Sequence, residues 1–154
     1  MKAASSAPHF DASSFTATQF DSAQDKADFA NRLVKLIKGD FKPTLFTKKL
    51  YHDLALSFGF IAHYDRDGFY AAQMSTLPRR LGFLKSLYHG GKFAGASGDP
   101  HFTRSDVEKA FRHNPWIGEQ ITRLQSDLDK LVVAGEKADL HRLAAKYPEE
   151  IASI

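Results

Sequence analysis

The sequence has no cysteine. That absence removes disulfides, thiolate metal sites, iron–sulfur clusters and thiol nucleophiles together, and it suits a reducing compartment. Long apolar runs are missing as well: none approaches the roughly 18 residues of a membrane span. The opening residues, MKAASSAPHF, lack the continuous apolar segment of a secretory signal. A soluble, cytoplasmic chain with no membrane partner is expected. Catalytic and metal frames are scarce. Ser57 and Ser97 lie in no Gly-x-Ser-x-Gly setting. Gly90-Gly91-Lys92 has no following Ser or Thr and comes after a helix pattern, so it is not a phosphate loop. None of the seven histidines forms a His-x-x-x-His pair. A calcium loop started at His63 would place Asp65, Asp67 and Gly68 correctly but needs a bidentate glutamate where Met74 stands. No metal and no cofactor are expected.

What is present describes one globular domain. The chain has 154 residues, 43% hydrophobic and 25% charged, long enough to bury a core without staples. Residues 1–20, rich in Ser, Ala and Thr, read as a flexible N-terminal arm, with Phe10, Phe15 and Phe20 as aromatic anchors or as a docking peptide. Residues 21–154 read as a single helical domain.

Within it, Ser22–Lys38 is a helix with Phe29, Leu33, Leu36 and Ile37 as its apolar stripe, stopped by Gly39 in a positive-φ conformation. A second helix starts at Pro43 and buries Phe46, Leu50, Leu54 and Phe58. Over 58–70 two structures compete. One is a helix that continues to Asp67 and stops at Gly68. The other is a small β-hairpin near 60–72 turning at Asp67-Gly68. Poor alternation favours the helix. Thr76 caps a helix to His89, and a short one starts at Thr103. Asn114-Pro115 opens the longest helix, whose Ile117, Ile121, Leu124, Leu128 and Leu131 make a heptad seam. The later stripe of Leu140, Leu143, Ala144 and Tyr147 is out of phase, which predicts a kink or hairpin near Gly135. The fold class is all-α, a compact bundle-like domain.

The formal net charge is only +3, but it is unevenly spread: residues 31–92 carry eleven positive and four negative side chains, net +7, and ten of the nineteen aromatic residues lie in Phe41–Tyr88. Cations displace counterions from phosphate and rings stack on bases. The candidate binding residues are therefore Lys42, Lys48, Lys49, Arg79, Arg80, Lys85 and Lys92, with His63, Tyr64 and Arg66 from the aromatic segment.

The run from Phe58 to Tyr70, FGFIAHYDRDGFY, resembles a motif of small bacterial proteins associated with phages and other mobile elements; Gly98-Asp99-Pro100, Phe102-Thr103 and Ser105-Asp106-Val107 add to the resemblance. It covers about residues 20–113 and implies no activity, only a protein directed at a host or element partner. The function expected is a non-enzymatic basic module binding an anionic macromolecule: nucleic acid, a nucleoprotein or an acidic protein surface. An inhibitor of host machinery would be one form of it. Two alternatives are a small enzyme using His63 with Asp65 or Asp67 as an acid–base pair, and a structural homodimer through 117–131.

Overall fold

A computed structural model describes residues 6–58, 60, 65–90 and 99–149. Among these the regular structure is helical throughout: α1 (Ala23–Lys38), α2 (Lys48–Ala55), α3 (Arg66–Met74), α4 (Leu77–His89), α5 (Ser105–Phe111) and α6 (Pro115–Lys146), with 3₁₀ turns at Ala12–Ser14 and Pro43–Leu45.

Helix starts follow side-chain chemistry. Ser22 and Asp25 form a reciprocal capping box on α1. Thr47, Asp65, Thr76 and Asn114 each accept a backbone N–H from the first turn of α2, α3, α4 and α6. The backbone and side-chain hydrogen bonds from Ser22 hold the Asp25 carboxyl below the usual carboxylate range. Its folded-state value thus lies below its unfolded one. The stabilisation is complete above the ordinary carboxylate range and is lost as pH falls through the lowered value. Protection of the Ser22 amide, measured relative to its intrinsic exchange rate at each pH, should fall on acidification through that window, and Asp25→Asn should remove the step.

Two expectations about turns are corrected. Asp65 caps a helix that begins at Arg66, so Asp67-Gly68 lies in the first turn of α3. The described residues there form neither a hairpin turn nor a helix C-terminus; residues 61–64 lie outside the description. Gly39 has φ −85°; the left-handed residues are the next two, Asp40 and Phe41. A Cβ at 39 would press on Leu45 Cδ1, the end of a half-buried side chain that would have to turn aside.

The core is unusually aromatic and runs as a relay of rings. Phe41 meets Phe83 edge-on at 5.8 Å, Phe83 stacks on Phe60 at 5.1 Å, and Phe60 meets Phe69 at 5.7 Å and Phe58 at 6.2 Å. Phe58 leads on to Phe111, Phe10 and Phe15. Such pairs add about 0.5–1.5 kcal/mol each beyond area burial. Residue 10 is tied down a second way: the Asn31 amide accepts the Phe10 N–H and donates to the Phe10 carbonyl, both at 2.9 Å. Phe20 is exposed.

The charged side chains at the centre were not foreseen. Lys26 is 1% exposed; its Nζ donates to the carbonyls of Pro100 and Thr103 and to Asp106 Oδ1 at 2.8, 2.9 and 3.0 Å. Asp106 Oδ2 accepts the Thr16 N–H. One ammonium thereby ties α1 to the segment ahead of α5. Nearby, Arg104 donates to the Asp53 carbonyl, pairs with Asp21 and Asp53 at 3.2 and 3.1 Å, and lies over the Phe29 ring.

Candidate functional site

The three candidate arginines hydrogen-bond to backbone carbonyls; Arg66 and Arg80 are half-buried and Arg79 is exposed. Arg66, first residue of α3, donates through Nε to the Phe46 carbonyl and through Nη2 to that of Pro43, pairs with Asp67, and lies over the Phe46 ring. Arg80 donates to the Met74 carbonyl at 2.7 Å and lies over Phe41. Arg79 donates to the carbonyls of Ala71 and Ala72. The last two arginines therefore satisfy the carbonyl end of α3, where a helix leaves acceptors unpaired and favours positive charge.

The lysines are placed differently. Lys42 precedes the 3₁₀ turn, Lys48 and Lys49 open α2, and Lys85 lies midway along α4; all four are exposed. Lys49 pairs with Asp53 at 3.3 Å. Lys42, Lys48 and Lys85 meet no carboxylate among the described residues, and the same holds for exposed Lys35 and Lys38 at the end of α1. Lys48 and Arg66 share an open depression of about 410 Å³ with Tyr51, His52, Asp65 and Asp67. Lys92, His63 and Tyr64 lie outside the described residues.

The carboxylates offered for an acid–base pair have structural work. Asp65 accepts the Gly68 N–H as the cap of α3, and Asp67 pairs with Arg66. Among the described residues no three His, Asp or Glu side chains converge as a metal site, and no helix is long and apolar enough to cross a membrane.

A second feature has no counterpart in the sequence reading. A cleft of about 620 Å³ opens beside the end of α2. Phe20, Leu56 and Phe102 on its wall are 87%, 76% and 80% exposed. Asp21, Arg104 and Glu108 also line it, and each has a partner: Arg104 holds Asp21, and Glu108 accepts the Phe58 N–H. The cleft thus offers apolar contact beside charged side chains already held by hydrogen bonds and ion pairs. The available sequence signal was the isolation of Phe20 and Phe102 among polar neighbours, which separates them from any helical stripe. No protein family, curated protein or solved structure matches this chain.

Proposed function

We propose that this chain is a non-enzymatic basic helical module that binds an anionic macromolecule: nucleic acid, a nucleoprotein or an acidic protein surface. The observation that carries the reading is the division among the cations of residues 31–90. Arginines 66, 79 and 80 are hydrogen-bonded to backbone carbonyls, whereas Lys35, Lys38, Lys42, Lys48 and Lys85 are exposed and form no ion pair among the described residues. Lysine is a compact, strongly hydrated charge without arginine's fork. It suits displacement of counterions from an array of phosphates or carboxylates better than the reading of base edges. α2 joins this charge to apolar contact: Lys48 and Lys49 open it, and Leu56 follows its end on the wall of the Phe20–Phe102 cleft. A host-directed inhibitor is one form such a module takes.

The test is anisotropy with mixed-sequence DNA and RNA oligonucleotides, and with polyglutamate as a protein-like polyanion. Binding should weaken steeply with salt. The triple variant Lys42→Gln/Lys48→Gln/Lys49→Gln should lower the slope of log K against log salt by about 2 to 3. Lys130→Gln/Lys137→Gln, on the far part of α6, should leave it unchanged. No binding to any of the three probes at low salt would overturn the reading.

A further inference from the structure

The predicted break at Gly135 does not occur. α6 is one helix of 32 residues, about 48 Å long at 1.5 Å per residue, and only its first half has a body to lie on. Trp116, Ile117 and Leu124 are buried, Ile121 and Leu128 pack at the core's edge, and α4 is the principal neighbour. The seam expected to pair two copies through 117–131 is thus largely used inside the molecule. From Asp129 to Glu149 every residue is exposed except Leu143 and Ala144, which are half-buried.

The apolar stripe continues along this outer half but changes sides. At 100° per residue, Ile117, Ile121, Leu124 and Leu128 occupy a sector about 60° wide. Val132, Val133, Leu140, Leu143, Ala144 and Tyr147 occupy another, centred about 110° further round. The second stripe therefore points away from the surface that α6 packs on. Val132, Val133, Leu140 and Tyr147 are among the largest exposed apolar side chains of the protein, Leu140 at 56%. Lys146 lies over the Tyr147 ring, and no other described element covers the stripe.

We infer that this stripe is a self-association surface on which a second copy of the chain lies antiparallel, Leu140 against Leu140. The occupant follows from the charges. Residues 129–149 carry Lys130, Lys137, Arg142 and Lys146 against Asp129, Glu136, Asp139 and Glu149. A balanced, alternating pattern selects no strongly charged partner, and its complement is the same pattern reversed. The direction follows from the stripe itself, since Asp129 and Glu136 fall in its sector. A parallel pair would set Glu136 on Glu136 and Asp129 on Asp129. An antiparallel pair about Leu140 sets Val133 on Tyr147 and Glu136 beside Ala144. It also turns the flank carrying Asp139 toward the flank carrying Lys146 of the second copy, twice by symmetry. The overlap is about 15 residues, or ~22 Å. Two helices of that length bury less than the ~800 Å² per partner of a standard interface, so association belongs in the micromolar range.

Because the chain has no cysteine, single engineered thiols report the pairing. Leu140→Cys should give a disulfide-linked dimer on mild oxidation. Glu136→Cys should not, its mate lying ~12 Å away along the pair. Sedimentation velocity of the wild type should show association rising between about 5 and about 500 µM. Leu140→Glu should abolish it with helicity unchanged, because position 140 is exposed in the single chain. A wild type that is monomeric throughout, association unaffected by Leu140→Glu, or Glu136→Cys cross-linking as readily as Leu140→Cys would each overturn the inference.

Discussion

Replacing Lys26 by alanine is expected to lower folding stability by about 3–5 kcal/mol, the range for breaking a buried, hydrogen-bonded ion pair from one side. The loss is large because it is compound. Three donors meet three acceptors on Pro100, Thr103 and Asp106. Removing them leaves two carbonyls unsatisfied and a mostly buried carboxylate without its cation. Lys26→Met restores the buried methylene volume but none of the donors, and should lose nearly as much as alanine. Lys26→Met/Asp106→Asn should regain part of the loss, because the uncompensated charge is gone while the amide oxygen still accepts from Thr16. Urea midpoints at unchanged m-value measure all three. A loss under about 1 kcal/mol for Lys26→Ala would mean that the carbonyls find water instead.

Phe46→Ala should cost a comparable 3–5 kcal/mol. Phe46 is fully buried, stacks on Phe69 at 5.7 Å with an interplanar angle of 17°, and also meets Tyr51 and Tyr70. Arg66 lies over its ring and bonds its carbonyl. Alanine would leave a cavity on the path between Lys42 and Lys48 and loosen the arginine that ties α3 to this strip. Phe46→Leu keeps most of the volume and should cost well under half as much. Thermal unfolding with near-ultraviolet dichroism separates the two. If both variants lose equally, the site responds to lost ring geometry rather than lost volume.

Local signals in the sequence were legible where a cap met a clean stripe. Ser22 before Phe29, Leu33 and Ile37, Thr76 before Leu84 and Leu87, and Asn114-Pro115 before Ile117 all mark observed starts. The segment at 65–70 misled because Asp67-Gly68 reads as a turn pair while Asp65, three residues before Gly68, is a helix cap; the cap won, as it satisfies a first-turn N–H and leaves Phe69 and Met74 facing the core. Gly135 misled for a different reason. Glycine inside a helix costs only about 1 kcal/mol relative to alanine, too little to break a helix already propagating through good helix formers such as Leu131, Ala134, Glu136 and Lys137 on either side of it. The two stripes were read correctly as out of phase, but one straight helix can carry both. Lys26 was overlooked although it stands three and seven residues before Phe29 and Leu33 on the apolar face. A cation in line with a stripe is a burial signal only when its acceptors are known, and these come from residues 100–106. The exposure of Lys42, Lys48, Lys49 and Lys85 was legible from charge; the cleft was not, because Phe20, Leu56 and Phe102 meet only through the fold.

The change of side along α6 gives its halves different evolutionary freedom. A replacement at Ile117 or Leu124 harms each molecule by itself and is selected against at any abundance. Under the pairing inferred above, a replacement at Val133 or Leu140 leaves a solitary molecule unharmed and matters to selection only where molecules are numerous enough to meet. Drift can therefore rewrite the outer half in a scarce protein while the inner half stays fixed.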